Sequence, residues 1–255
     1  MSAKVRINRY LASAGFGSRR KCEDLIRQGL VAVNGNVLTK LAATVDPDAD
    51  SVAVNGRPVE RGAATRVFVL NKPIGVLSTA SDSFNRRTVI DVARENGITE
   101  RIFPVGRLDY DTSGILILTN DGDLAYRLTH PRFKIEKTYA LKVEGNVADE
   151  TAARISSGVE LAGYLTRPCS ARILERGRGT TTLQIRLMEG RKRQIRGMFA
   201  MFGHKTLALA RVALGDLAFE DVAPGAIRPL TEFEERRLRE LAGLIRQGED
   251  QQTCP

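Results

Sequence analysis

The segment "GRLDYDTSG", residues 106–114, sets Asp109 and Asp111 two positions apart, followed by Thr112, Ser113 and Gly114. A calcium loop starting at Asp109 would use Asp111 and Ser113 as ligands and Gly114 as its sharp-turn glycine. Its twelfth position is Asn120, where a bidentate glutamate is needed, and "ILILT" inside the loop reads as a strand. A phosphoryl-accepting aspartate needs a hydrophobic strand directly before it, opening a parallel sheet. Here Val105-Gly106-Arg107-Leu108 precede Asp109, and no parallel strand order is visible. Two readings stay open on local chemistry. Asp109 and Thr112 can be turn and cap residues ahead of a strand. Alternatively Asp109 is a lone catalytic carboxylate, nucleophile or base, with Arg107 beside it to reach a phosphate or to fill the place of a displaced base.

Little else in the chain suggests metal or redox chemistry. Cys22, Cys169 and Cys254 form no CxxC pair, and the only histidines are His130 and His204. That spacing predicts reduced thiols in the cytoplasm and no metal site. No apolar run approaches 18 residues, and the start lacks the apolar stretch of a secretory signal, so neither a membrane span nor export is expected.

The chain has 255 residues, 42% hydrophobic and 27% charged, with a formal net charge of +9. That is enough apolar residue for one large domain or two smaller ones. The basic balance points to a phosphate-rich partner. Part of it is local. Lys4, Arg6, Arg9, Arg19, Arg20, Lys21 and Arg27 face only Glu23 and Asp24 within the first 30 residues, an excess of five.

Those residues fall in a separate small module over 1–62. Ile7, Leu11 and Ala14 are spaced for a helix that Gly15 ends. Ser18 caps a second helix, closed by Gly29, and "VAVNGN" and "SVAVNG" predict two hairpins with Asn-Gly turns. "RGAATR", 61–66, reads as a linker into a second domain over 63–247, with a polar tail at 248–255. In that domain "VFVLNK", "ILILT", "TYALKV", "TTTLQIRLME" and "TLALARVALG" predict strands. Tyr139, Leu141 and Val143 share one face, as do Leu183, Ile185 and Leu187, and Asn120-Asp121-Gly122 reads as a turn. Helices are predicted over 88–97, 191–203 and 231–247, the last with a Thr231–Glu234 capping box. In the second, Ile195, Met198, Phe199 and Phe202 form the apolar stripe and Arg193 and Arg196 lie one turn apart off it. Hairpin turns without βαβ alternation indicate an α+β fold: a small α/β module, then a mixed, largely antiparallel sheet.

Four segments in one order carry a resemblance. "NKPIGVLSTASD" (71–82), "GRLDYDTSGILILTNDGDLAYRLTHP" (106–131), "FKIEKTYALKVEG" (133–145) and "EGRKRQIRGMFAMFGHKTLALARVALG" (189–215) resemble the motifs of bacterial rRNA pseudouridine synthases of the RsuA/RluB group. Residues from 4 to about 50 resemble the RNA-binding module of ribosomal protein S-four. The resemblance implies isomerisation of a uridine in structured rRNA, 23S or 16S, without metal or cofactor, by a monomer acting on rRNA or a ribosome assembly intermediate. It makes Asp109 the essential carboxylate and Tyr139 the ring beneath the uracil. Arg196 is the cation that holds Asp109 ionised, with Arg193 the alternative. Arg6, Arg9, Arg19, Arg20, Lys21, Arg107, Arg191 and Arg193 become RNA contacts, Lys72-Pro73 shape the strand end by the pocket, and His130 orders a loop. Gly197 departs from the pattern, which usually carries arginine there, at a helix-propensity cost of about 1 kcal/mol. A phosphatase, or an RNA-binding assembly protein that kept the fold without its chemistry, are the competing functions.

Overall fold

A computed structural model describes residues 4–60 and 64–245. Residues 61–63 of the expected linker, the last two residues of the expected closing helix and the tail from 248 lie outside the described residues. The chain divides into two compact units, Met1–Thr65 and Arg66–Pro255.

In the first unit the helices run Ile7–Ser13 and Arg19–Arg27, and the Ser18 hydroxyl accepts the Lys21 backbone N–H at 3.2 Å. Four short strands pair in the order Asn36–Val37, Val31–Val33, Val52–Val54, Arg57–Pro58. Asn34-Gly35 (φ 50°, 80°) and Asn55-Gly56 (φ 51°, 74°) make the hairpin turns, where two successive positive φ values match the strand twist. Ile7, Leu11, Cys22, Ile26 and Val31 are buried together, while Arg19, Arg20 and Lys21 are exposed. The second helix thus splits cleanly into an apolar inner stripe and a basic outer one.

The second unit is built on one sheet. Its strands lie in the order Ser170–Gly177, Thr180–Leu187, Lys137–Glu144, Thr206–Leu214, Ser113–Thr119, Val67–Lys72, Ile227–Pro229. Every pairing along this path is antiparallel except that of Thr206–Leu214 with Ser113–Thr119, so the sheet is mixed and largely antiparallel. "ILILT" is unbroken apolar because both faces are covered. Leu116 and Leu118 pack with Leu141, Ile185, Met198 and Phe199 on one side. Ile115 and Ile117 pack with Leu124, Leu128 and Leu238 on the other.

Three local expectations are corrected. Asn120-Asp121-Gly122 is not a plain turn but the start of helix Gly122–Thr129, because the Asp121 carboxylate accepts the backbone N–H groups of Asp123 and Leu124 at 3.0 Å. The helix expected over 191–203 is confined to Gln194–Ala200, since Arg193 sits at its N-cap in the left-handed region (φ 54°). The closing helix begins with the Thr231–Glu234 capping box but ends at Leu241, ahead of Gly243 at φ 63°. Helix Asp149–Ser157 and hairpin Glu160–Leu161/Tyr164–Leu165 are not expected from the sequence.

Candidate active site

The Asp109 loop is fixed at both ends. Upstream, the buried Ser78 hydroxyl accepts the Leu108 N–H (3.1 Å) and donates to the Leu108 carbonyl (2.9 Å). Within the loop the Thr112 N–H donates to the Asp109 carbonyl at 3.0 Å, closing a turn. Downstream, Gly114 (φ 105°) lies where the strand meets Arg211 of its parallel neighbour, and a Cβ there would stand 2.1 Å from the Arg211 carbonyl oxygen. Only glycine lets the two backbones approach so closely. The turn and the carboxylate readings are therefore not rivals, since the turn presents the carboxylate.

Among the described residues no hydrogen bond or ion pair reaches the Asp109 carboxylate. Its electrostatic partner is Lys72, which ends its strand opposite Gly114 and is completely buried. The Lys72 ammonium donates to the carbonyls of Pro73 and Val76, each at 2.9 Å. Burial lowers its pKa to about 8, and the negative charges of Asp109 and Asp111 oppose that shift. Below that value Lys72 remains a cation in the field of Asp109.

The arginines pair differently from expectation. Neither Arg196 nor Arg193 closes on Asp109. Arg193 Nη1 spans both Asp111 carboxylate oxygens at 3.2 and 3.0 Å. Arg196 Nη2 donates to the Asp111 carbonyl (2.8 Å), lies 3.3 Å from its carboxylate and reaches Thr112 Oγ1 at 3.4 Å. Helix Gln194–Ala200 and its N-cap residue Arg193 meet the loop at Asp111. Arg196 Nε is buried and without a partner among the described residues.

These groups line one cleft of about 340 Å³. Asp109, Thr112, Tyr139 and Arg196 form its polar wall, and Leu187, Ile195 and Leu209 its apolar wall. Tyr139 is 8% exposed. Arg107, Arg191 and Arg193 stand at the same cleft, all exposed, and the Arg191 guanidinium stacks 3.9 Å over the Tyr164 ring. Every second-unit residue expected to react or to touch RNA is thereby gathered at one place. Arg6, Arg9, Arg19, Arg20 and Lys21 belong to the first unit and are exposed there. His130 Nδ1 accepts the Arg132 N–H at 3.3 Å and so orders its loop. Gly197 faces hairpin Glu160–Leu161/Tyr164–Leu165, and a Cβ there would meet Leu161 at 3.0 Å, so the hairpin stands where a side chain would go.

Two residues at the site escape a reading of the sequence, Lys137 and Arg211. Arg211 leaves a signal as the single cation of strand Thr206–Leu214, whereas Lys137 shares its strand with Lys142 and Glu144 and leaves none. Among the described residues no cluster of three or more His, Cys, Asp or Glu could hold a metal ion, and no helix is long and apolar enough to cross a membrane.

A cleft with one unengaged carboxylate, a tyrosine and a rim of arginines, set on a mixed sheet, suits chemistry on a phosphate-bearing substrate. Comparison with known proteins makes this specific. Residues 66–201 match the RNA pseudouridylate synthase family model, and residues 5–51 match the S4 domain model. An RNA pseudouridine synthase of Aquifex aeolicus is 42% identical over 242 residues, spanning 94% of this chain and 96% of that protein. Ribosomal large subunit pseudouridine synthase B of Bacillus subtilis is 42% identical over 239 residues, 93% of this chain and 96% of its own length. Ribosomal small subunit pseudouridine synthase A of Salmonella typhimurium is 35% identical over 235 residues, 90% and 98% of the two chains. A crystal structure of a pseudouridylate synthase superposes with a TM-score of 0.65 at 28% identity, over 92% of this chain and 99% of that one. The chain belongs to the RNA pseudouridylate synthase family, in the group that carries an N-terminal S4 domain, and is an isomerase of that class.

Proposed function

We propose that this protein isomerises a uridine of 23S ribosomal RNA to pseudouridine in the cytoplasm, as a monomer, with Asp109 as the essential carboxylate and without metal or cofactor. The observation that supports it most is the Asp109 carboxylate, held on a pinned turn, unengaged, and sharing a cleft with Tyr139 and Arg196 inside the matched region 66–201. The choice of 23S over 16S rests on the 42% identity to the large-subunit enzyme against 35% to the small-subunit one.

The target uridine must leave its stack to enter such a cleft. Arg107, Arg191 and Arg193 then take backbone phosphates at the rim, and the uracil lies on the Tyr139 ring against Leu187, Ile195 and Leu209. Asp109 attacks the sugar C1′ or removes its C2′ proton. On the first route N1–C1′ breaks as the Asp109 ester forms, the base turns, and the ester bond to C1′ breaks as C5 bonds there; on the second the uracil leaves as the glycal forms, the base turns, and Asp109 returns its proton to C2′ as C5 bonds to C1′. On either route the C5 proton passes to Tyr139 as acceptor and N1 takes up a proton. The buried Lys72 ammonium sets a positive charge in the field of Asp109, in a low-dielectric setting. Asp111 holds Arg193 and Arg196 so that the unpartnered Arg196 Nε faces developing charge without reorganisation.

The residues of 1–62 anchor the RNA by shape and charge, and 63–247 carry the chemistry. Arg6, Arg9, Arg19, Arg20 and Lys21 supply the phosphate contacts of the module. The test is to map pseudouridines in rRNA from cells lacking this protein, and to incubate the pure protein with 23S and 16S transcripts in parallel. Loss of one 23S pseudouridine and activity on the 23S transcript are expected. Activity on 16S alone reverses the choice of subunit, and activity on neither rejects the proposal.

A further inference from the structure

A second, more enclosed cavity of about 140 Å³ shares Arg107, Tyr139 and Gly190 with the catalytic cleft. Lys137 precedes Tyr139 by two residues on one strand, Arg211 is the register partner of Tyr139 on the next, and all three line this cavity. Arg211 is only 3% exposed. Its Nε donates to the Ile115 carbonyl at 2.7 Å, but its buried Nη2 has no partner among the described residues. Folded proteins leave few buried donors unpaired, so an orphaned guanidinium nitrogen on a residue that lines a cavity calls for an acceptor that arrives with a ligand.

The rest of the wall has the same character. Among the described residues Lys137 Nζ makes one hydrogen bond, to the Ile135 carbonyl at 2.8 Å, out of three it can donate. Burial, reinforced by the Arg211 charge, lowers its pKa to about 8. Arg107 adds a third cation. The one carboxylate on the wall, Glu189, already accepts from the Arg167 N–H and the Gln194 amide.

We propose that this cavity holds a phosphodiester of the RNA strand beside the target uridine, gripped by Lys137 and Arg211. This rests on the reading of the larger cleft as the uridine site and deepens it. A neutral uracil carbonyl would satisfy Arg211 Nη2 but leave three cations facing one carboxylate. A phosphodiester brings a full charge and two free oxygens, which suits a guanidinium and an ammonium side by side. Since Tyr139 stands in the wall of both cavities, clamping the phosphate sets the nucleotide's position against the ring and Asp109.

The full chain is titrated at low salt with uridine, uridine 3′-monophosphate, uridine 5′-monophosphate and inorganic phosphate, followed by NMR. One of the two monophosphates is expected to bind at least about tenfold tighter than uridine, the scale of a charge-assisted contact, and inorganic phosphate to compete with it. Lys137→Gln should erase that advantage, Lys137→Arg should keep most of it, and Asp109→Asn should leave it intact, with circular dichroism confirming each fold. An advantage that survives in Lys137→Gln, or is lost equally in folded Gln and Arg variants, or is absent from the wild type, overturns the assignment. Isomerisation of the 23S transcript is scored separately. A phosphate advantage without isomerisation keeps the anion site and rejects the uridine chemistry; isomerisation without the advantage does the reverse.

Discussion

At the scale of single residues, Asp109 and Asp111 divide the labour between them. Among the described residues no hydrogen bond or ion pair reaches the Asp109 carboxylate, which lies in the field of Lys72, whereas Asp111 holds Arg193 and Arg196. Asp109→Asn should abolish turnover and leave RNA affinity within about tenfold, roughly 1.4 kcal/mol, because it removes a chemical group and a repulsive charge. Measurable turnover in that variant contradicts the assignment. Asp111→Asn should be milder, since Arg196 keeps the Asp111 carbonyl and Thr112 as acceptors, with a loss of about ten- to a hundredfold in turnover. Equal loss in both variants would point to a paired-carboxylate site instead. Lys72 makes a further prediction through pH. Its folded value, about 8, lies below its ordinary 10.5, so between those values the unfolded chain binds more protons. Its cost to folding is therefore full below pH 8 and relieved as pH rises toward 10.5. Compared with Lys72→Met in urea unfolding, the wild type should gain up to roughly 3 kcal/mol across that window, and a flat difference would rule out the shift. Much of this site is legible in residue types. Asp109, Tyr139 and Arg196 stand in one cleft, but which carboxylate each arginine takes depends on the turn between Asp109 and Thr112, a geometry that spacing does not encode. Lys137 stays hidden because a lysine at a strand end, with Lys142 and Glu144 on the same strand, reads as a surface residue until the neighbouring strands are known.

At the scale of elements, the site depends on a close crossing in the sheet. Ser113–Thr119 lies between Val67–Lys72 and Thr206–Leu214, and Gly114 sits at the crossing, opposite both Lys72 and Arg211. Gly114→Ala should cost at least about 3 kcal/mol, combining a left-handed backbone with a Cβ pressed on a carbonyl oxygen. A thermal unfolding midpoint unchanged from wild type would show that the two strands can separate freely. The strands themselves are readable because each side is filled. Alternation marks Lys137–Glu144 and Thr180–Leu187, and the unbroken apolar run marks the strand covered on both faces. Helix ends are less readable. Gly122–Thr129 is set by one aspartate cap in a sequence that equally suits a turn, and Gln194–Ala200 is trimmed by a left-handed arginine that nothing in "GRKRQ" announces. Helix Asp149–Ser157 leaves little trace in the sequence because Ala148 caps it without a side-chain bond and only Ala152 and Ile155 are buried.

At the scale of the whole molecule, the net charge of +9 is shared between two units with different tasks. The first carries an excess of five in its first 30 residues, and Arg19, Arg20 and Lys21 lie exposed in the first turn of a helix whose other side, Cys22 and Ile26, is core. Such a stripe adds phosphate contacts without adding base recognition. The second unit has its own sheet, with apolar clusters on both faces that use no residue before Val67, and it contains Asp109, Tyr139 and Arg196. Deleting residues 1–62 should therefore leave a folded core with the cleft intact. Every phosphate that the truncated protein no longer touches should flatten the slope of log affinity against log salt by roughly 0.7 to 0.9. That protein should bind rRNA more weakly and with a shallower slope, yet still turn over at high enzyme and RNA concentration because the catalytic groups remain. Binding of both forms at several salt concentrations, with circular dichroism as the fold control, makes the comparison. A folded truncation with unchanged affinity and slope would mean that the RNA is anchored by the arginines of the cleft, Arg107, Arg191 and Arg193, and not by the N-terminal module.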